Sequence, residues 1–207
     1  MTTTEPEFTS AATEETIAKI AAVLHDNHIE MVVVDTGAEA RQKVLEMIPE
    51  GAEVHSGKSK TIEDIGLYAD LHESGRYVSV RNAYMKMDRA TQHREIRKLS
   101  ASPDYIVNSV QALTEDGAML MTSYTGSQIG PIAYGAGQVV LIVGSQKIVP
   151  DLPTALRRMY EHVLPYEDAR LREQLGVGTK AAKTLILSAE GRPGRTTVIL
   201  VREPIGV

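Results

Sequence analysis

Apolar residues recur along the chain with two different spacings, and the order of these spacings predicts an α/β fold. Ile17, Ile20 and Leu24 lie three or four residues apart, which is typical of the buried face of a helix. The β-branched run at residues 29–34 ends in a turn and is typical of a buried strand. A second helix pattern and a short strand pattern at residues 52–55 follow. We therefore expect βαβ units, with a mostly parallel sheet flanked by helices.

The second half of the chain continues this alternation. Further apolar runs predict strands at residues 105–107, 118–121 and 139–143. Asp151 begins the clearest amphipathic helix pattern, which Pro165 is expected to break. Two apolar runs in the tail, residues 184–187 and 196–201, are separated by a turn-rich segment and predict a hairpin or two edge strands.

Length and composition are those of a globular domain. The 207 residues are 43% apolar and 24% charged, enough for one buried core, so we expect a flexible N-terminus at residues 1–12 and a single α/β domain at residues 13–207. The net charge is −5 and basic residues form no stripe, which argues against nucleic-acid binding. No segment has the pattern of a signal peptide or a membrane span, so we expect a cytoplasmic protein. The oligomeric state stays open, a homo-oligomer included.

The chain contains no cysteine, which excludes disulfides, thiolate metal sites and cysteine-ligated iron–sulfur clusters. His25 and His28 straddle a helix end, so a metal site there is not expected. His55 precedes a polar turn and could reach a site. We expect no metal and no cofactor, and the remaining histidines are predicted to be exposed, namely His72, His93 and His162.

Small polar turns follow several predicted strands, and parallel strands would bring such turns to one sheet edge. The expected ligand-binding residues are Ser56, Gly57, Ser59, Thr114, Gly117, Gly126, Ser127, Gly144 and Lys147. Glu115 is the candidate general base or nucleophile, and Lys147 is the candidate charge partner for an anionic substrate.

Structural alternatives exist for two of these turns. Asp116-Gly117 is a strong hairpin dipeptide, so the acidic turn could serve only to connect two strands. The turn before Thr61 could be a plain helix cap, with Thr61 as the N-cap. Ala52 occupies the position where a phosphate-binding P-loop needs glycine, which excludes that motif.

Several ordered blocks resemble the lactate-utilisation (LUD) domain family. These blocks are Gln111-Ala112-Leu113-Thr114-Glu115-Asp116-Gly117, Ile132-Ala133-Tyr134-Gly135, Val139-Val140-Leu141-Ile142-Val143-Gly144 with Lys147-Ile148-Val149, and Gly194-Arg195-Thr196-Thr197-Val198-Ile199-Leu200-Val201 with Glu203 and Gly206. The resemblance implies a fold similar to that of ribose-phosphate isomerase, glucosamine-phosphate deaminase and CoA transferases. By matching position it implies site residues at Ser56, Ser59, Thr114, Glu115 and Gly117.

The resemblance also implies a role in lactate or hydroxy-acid utilisation. We expect a non-redox subunit that binds a small anionic metabolite and acts with iron–sulfur partner proteins in the oxidation of L-lactate to pyruvate. One alternative is a stand-alone enzyme that uses Glu115 on a sugar phosphate or a CoA thioester, and a weaker one is a regulatory binding module without chemistry. The sequence therefore leaves open whether the chain is an enzyme. Two departures from the family pattern are the absence of the cysteine cluster seen in many short members, and Ser127-Gln128 where that branch often has Asn-Arg.

Overall fold

The computed structural model describes residues 8–207, which form two sheets and eight α-helices. The helices are α1 Glu14–Asp26, α2 Gly37–Met47, α3 Lys60–Asp64, α4 Leu67–His72, α5 Val80–Met85, α6 His93–Ala101, α7 Leu152–Arg157 and α8 Leu164–Leu175. The strands are β1 Glu30–Val34, β2 Glu53–Ser56, β3 Val78–Ser79, β4 Tyr105–Asn108, β5 Ala112–Thr114, β6 Met119–Ser123, β7 Gln138–Gly144, β8 Ile148–Val149, β9 Lys183–Leu187 and β10 Thr196–Val201.

The larger sheet has six strands in the order β1-β10-β7-β4-β2-β3, and all of its neighbours pair in parallel. Alternate residues of β7 face opposite sides of this sheet. Leu141 packs in a cluster with Leu24 of α1, whereas Ile142 packs in a cluster with Val44 of α2. Burial on both faces explains why β7 is a continuous apolar run. The predicted fold class, a parallel sheet flanked by helices, is confirmed.

The smaller sheet has the order β8-β5-β6-β9. Strands β5 and β6 are antiparallel and are joined by the acidic turn that begins after Thr114. The Thr114 hydroxyl donates to Asp116 and accepts from the Ala118 N–H at 2.8 Å, while Gly117 adopts a φ of 88°. A Cβ at position 117 would lie 2.8 Å from Val23 of α1. The acidic turn is therefore a hairpin turn, and only glycine fits its last position without strain.

The two tail strands are not the hairpin or edge pair that their apolar runs predict. Strand β9 does lie at an edge, where it pairs with β6 of the smaller sheet. Strand β10 instead lies between β1 and β7 in the larger sheet, and all six of its residues are buried. A short apolar run indicates a strand but does not indicate its partner, because the connecting residues can carry the chain to either sheet.

The helical segment after Asp151 is not broken at Pro165. The Asp151 side chain caps α7 by accepting from the Thr154 N–H at 2.8 Å, as its position before the helix predicts. A π-helical segment, Arg158–Val163, then links α7 to α8, and Pro165 lies in the first turn of α8. Proline is tolerated in a first turn, and the wider π-helical turn changes the hydrogen-bond register just before it.

Phe8 of the N-terminal segment belongs to the core. Of the expected flexible segment at residues 1–12, residues 1–7 lie outside the described part of the chain, but Phe8 is fully buried. It packs with Ala155 and Met159, and its ring lies 5.9 Å from that of His162. Between residues 8 and 207, no helix combines the length and the apolar character needed to span a membrane.

Candidate functional site

A cleft of about 430 Å³ opens at the carboxyl ends of the central parallel strands. Asn108 at the end of β4 and Gly57 just after β2 line it, and Lys147 follows the end of β7. Ser123 and the residues after β6 form one wall, and Leu171 of α8 contributes to another. This is the sheet edge at which open α/β folds bind ligands.

The charged residues of this cleft are mostly basic, although the whole chain carries a net charge of −5. Glu167 is the acidic side chain among its lining residues, and this carboxylate is held by Arg170 at 2.7 Å. The basic lining residues are Lys58, Lys60, Arg81, Arg89, Lys147 and Lys180. The cleft therefore favours an anionic ligand.

Lys147 is the buried member of this basic set, with 2% of its surface exposed. Its Nζ donates to Thr61 Oγ1 at 2.7 Å and to Ser109 Oγ at 3.0 Å. Burial, and to a smaller extent the Arg158 cation, lower the pKa of Lys147 to about 7, although Glu167 and Asp64 act in the opposite direction. Near neutral pH the Lys147 amine is therefore close to the midpoint of its titration.

The chain's last residues hold Lys147 in place. Lys147 ends a 3-10 turn, Ser145–Lys147, whose Gln146 Nε2 donates to the Ile205 carbonyl at 2.8 Å. A Cβ at Gly144 would lie 2.8 Å from the Ile205 nitrogen, and a Cβ at Gly206 would overlap the Thr61 hydroxyl. Glycine at these two positions lets the tail pack directly against the end of β7 and against Thr61.

A second buried cation lies in the same region. Arg158 is fully buried and donates to the backbone carbonyls of Gln111 and, at 3.4 Å, of Phe8. Desolvation lowers its pKa to about 10, so it remains protonated at neutral pH. Neither Arg158 nor Lys147 forms an ion pair with a carboxylate among residues 8–207. Arg158 therefore keeps a positive charge near Lys147 that no carboxylate among the described residues neutralises.

A buried histidine cluster lies behind the cleft. His72 Nε2 is 2.6 Å from Ser56 Oγ, and His72 Nδ1 is 2.7 Å from Ser79 Oγ. His72 is only 5% exposed, so the prediction that it is exposed is wrong: its position at the end of α4 turns the ring inward. His55 is 1% exposed, and neither ring nitrogen has a hydrogen-bond partner among the described residues.

Both of these histidines are neutral at pH 7. Burial and the nearby Arg81 lower the pKa of His55 to about 4. The Ser127 backbone acts in the opposite direction, although it forms no hydrogen bond with the His55 ring. Burial, Arg81 and His55 lower the pKa of His72 to about 4. Since both rings favour the neutral form, they add no positive charge to the cleft at pH 7.

The structure brings together some of the predicted ligand-binding residues and separates others. Gly57, Ser59, Ser127 and Lys147 line the cleft. Ser56 is fully buried behind it. The members of the predicted set that do not line the cleft are Ser56, Thr114, Gly117, Gly126 and Gly144.

Glu115 also lies outside the cleft lining. Its carboxylate pairs with Lys19 of α1 at 2.6 Å, and both side chains are partly exposed. The hairpin turn directs this residue toward α1, whereas the cleft lies at the carboxyl edge of the larger sheet. The structure therefore gives no support to the expectation that Glu115 acts on a ligand bound in the cleft.

Three residues that matter here were not predicted. Thr61 is not an N-cap, because α3 begins at Lys60 after Ser59, and its hydroxyl binds Lys147 instead. Ser109 follows β4 directly, so its position after a predicted strand was the available signal. Arg158 gave no such signal, because an arginine in an amphipathic helix is normally exposed.

Comparison with known proteins identifies the family. The sequence profile of the LUD domain matches residues 17–201. The chain belongs to the LUD domain family. The resemblance seen in the sequence blocks is thus confirmed, and with it the association with lactate utilisation at the level of the family.

One solved LUD-type structure supports the fold. This LUD domain resembles the crystal structure of a DUF162 family protein from Deinococcus radiodurans, with a TM-score of 0.57 and 13% sequence identity. The match covers 93% of this chain and 99% of the other. At this identity the likeness concerns the fold alone. No curated protein sequence matches this LUD domain significantly.

Proposed function

We propose that this LUD domain protein is a non-redox subunit of lactate or related hydroxy-acid utilisation. In this proposal it binds a small anionic metabolite in the carboxyl-edge cleft and acts with iron–sulfur partner proteins in the oxidation of L-lactate to pyruvate. The observation that carries the binding part is the charge of the cleft, where six basic side chains face one glutamate in an acidic protein.

The size of the electrostatic effect is sufficient for a metabolite site. A carboxylate 4 Å from one of these cations would gain roughly 4 kcal/mol at an effective dielectric constant of about 20. This gain corresponds to an affinity near the millimolar range before desolvation costs are subtracted. Several such cations are thus enough to hold a small acid. Lys147, the predicted charge partner, is close to the midpoint of its titration at neutral pH, so the other five basic side chains supply most of the positive charge.

The non-redox part of the proposal rests on the sequence. The chain has no cysteine, so it cannot hold a cysteine-ligated cluster itself. In this proposal the electrons from the hydroxy acid pass to an iron–sulfur partner protein. The alternative of a stand-alone enzyme that uses Glu115 is not favoured by any observation, since this carboxylate lies outside the cleft lining.

The binding part is tested by calorimetric titration with L-lactate, pyruvate, a sugar phosphate and CoA. Lactamide serves as the uncharged analogue of lactate. We expect at least one anion to bind, lactamide not to bind, and a Lys58→Gln/Lys180→Gln variant to bind the anion at least tenfold more weakly. The matched control, Lys43→Gln/Lys86→Gln, removes two lysines outside the cleft. Equal weakening by both pairs, or binding of none of the four anions, would contradict the proposal.

The partner part needs a separate test in cells. Tagged iron–sulfur proteins of the lactate oxidation system should co-purify with the chain, and deletion of its gene should abolish growth on L-lactate. Normal growth of the deletion strain on lactate would remove the lactate role while leaving the anion site to be judged by titration.

A further inference from the structure

The hydrogen bonds of Lys147 match those of a neutral amine. Thr61 Oγ1 donates to Ser109 Oγ at 3.2 Å, and Ser109 Oγ donates to the Val110 carbonyl at 3.5 Å. Both hydroxyl protons are thereby directed away from Lys147, and both oxygens accept from its Nζ. A neutral amine has two N–H donors for these two acceptors and one lone pair, whereas an ammonium group would have a third N–H to satisfy.

The surroundings of Lys147 also differ from those of a lysine that is held in a structural ion pair. Glu167 and Asp64 are near enough to influence it, but neither forms an ion pair with Nζ. The other cations of the cleft can hold the anionic part of a ligand without Lys147. Thr61, Ser109 and Lys147 all line the cleft, so the Lys147 side chain borders the space that a bound ligand would occupy.

We propose that Lys147 is an amine nucleophile that forms a reversible imine with the carbonyl group of a small anionic aldehyde or ketone bound in the cleft. This inference rests on the proposed function, because the cleft must first bind an anion. Burial and the Arg158 cation, which lower the pKa of Lys147 to about 7, support it by making the free amine available at neutral pH.

The chemical step needs no redox partner. The lone pair of Lys147 Nζ attacks the carbonyl carbon, and the C=O electron pair moves to the oxygen. Transfer of one amine proton to this oxygen gives a carbinolamine, and the neighbouring hydroxyls of Thr61 and Ser109 can relay that proton. Loss of the hydroxyl group with the remaining amine proton releases one water and leaves a C=N bond. Addition of water reverses the step and returns the free amine.

Two ligand sources share this chemistry. A 2-oxo acid such as pyruvate carries a carboxylate beside its ketone, and a keto sugar phosphate such as dihydroxyacetone phosphate carries a phosphate. A cleft of about 430 Å³ admits either of them. Lactate has the carboxylate without the carbonyl, which makes it the matched ligand that can bind but cannot form an imine.

The test is reductive trapping of the full-length protein. Sodium borohydride is added in the presence of pyruvate, dihydroxyacetone phosphate or lactate, and the modified residue is mapped by peptide mass spectrometry. We expect one of the two carbonyl compounds to modify Lys147 in near-stoichiometric yield and lactate to leave it unmodified. Whichever carbonyl compound reacts identifies the anionic group that the cleft accepts.

Lys147→Arg keeps a cation but cannot form the imine, and it should lose the adduct. Lys19→Arg, a matched change on the surface, should keep it. If Lys147→Arg does not fold, the position of the reduced adduct in the unchanged protein, mapped by peptide mass spectrometry, shows whether Lys147 forms the imine. Calorimetric binding of pyruvate or dihydroxyacetone phosphate without modification of Lys147, or modification spread over exposed lysines, would overturn the imine while leaving anion binding intact. Absence of binding would instead contradict the proposed function.

Discussion

Replacing Lys147 by methionine should stabilise the protein at neutral and mildly acidic pH. Methionine has a similar length and no charge, so the change removes the cost of burying an ammonium group while keeping most of the packing. The cost can be worked from the pKa of Lys147, which falls from its ordinary 10.5 to about 7. At about 1.36 kcal/mol per pH unit, the ionised side chain disfavours folding by roughly 5 kcal/mol.

Part of this gain is offset by lost hydrogen bonds. Lys147 donates to Thr61 and Ser109, and each bond contributes about 1 kcal/mol. At a pH of about 6.5 we therefore expect Lys147→Met to raise the free energy of unfolding by roughly 2 to 3 kcal/mol.

The pH dependence gives the sharper test. Between about pH 7 and pH 10.5 the unfolded chain keeps its proton on Lys147 and the folded chain releases it. The unfolding free energy of the unchanged protein should therefore rise with pH in this range, relative to that of Lys147→Met. The difference in unfolding free energy between Lys147→Met and the unchanged protein should shrink by about 1.4 kcal/mol per pH unit. The two proteins should be about equally stable near pH 9.

Urea unfolding of both proteins, followed by circular dichroism at several pH values, measures this difference. Lys43→Met, an exposed lysine paired with Glu46 at 3.7 Å, is the control and should change stability by less than about 0.5 kcal/mol at every pH. A constant difference between the unchanged protein and Lys147→Met from pH 6.5 to pH 9.5 would refute the reasoning. It would mean that Lys147 is hydrated or ion-paired, and the amine nucleophile would lose its basis.

Three further predictions concern the fold and the cleft. Gly135→Ala should lower the free energy of unfolding in urea by roughly 2 kcal/mol or more, because its Cβ would overlap the Ala101 carbonyl oxygen. Gly130→Ala is the control and should have little effect, since the space around Gly130 is open. Gly206→Ala should lower the yield of borohydride trapping at Lys147 by displacing the Thr61 hydroxyl from the amine, and an unchanged yield would show that the tail does not position Lys147. Glu115→Gln should leave anion binding unchanged and cost less than about 1 kcal/mol in stability, since only an exposed ion pair is lost.

The sequence patterns predicted the fold class because local spacing reflects burial. The run that became β7 is apolar at every position since both of its faces are covered, and the three-and-four spacing in α1 marks its contact with the same sheet. The patterns failed for the tail, where β9 and β10 look alike in sequence but join different sheets. They also failed at Pro165, because a π-helical segment does not change the amphipathic spacing enough to be seen.

The candidate site was only partly predictable. Turns after predicted strands correctly placed Gly57, Ser59 and Lys147 at one edge, because parallel strands all end on the same side of a sheet. The same rule misled at Glu115, since the strand before it belongs to the smaller sheet and turns back in a hairpin. The family blocks identified the LUD domain but did not locate the cleft.

The amino-acid sequence by itself determined the parallel α/β architecture, the family and the absence of any cysteine chemistry. Only the tertiary structure decided which charged side chains are buried and how their pKa values change. The sequence marks Lys147 as a candidate charge partner and gives Arg158 no distinguishing signal, but it shows the burial of neither. Both are buried without a paired carboxylate among residues 8–207. The pKa of Lys147 depends on its burial and on Arg158, Glu167 and Asp64, which lie far from it in sequence or on other elements. Such an environment exists only after folding, because solvent screens the same groups in the unfolded chain.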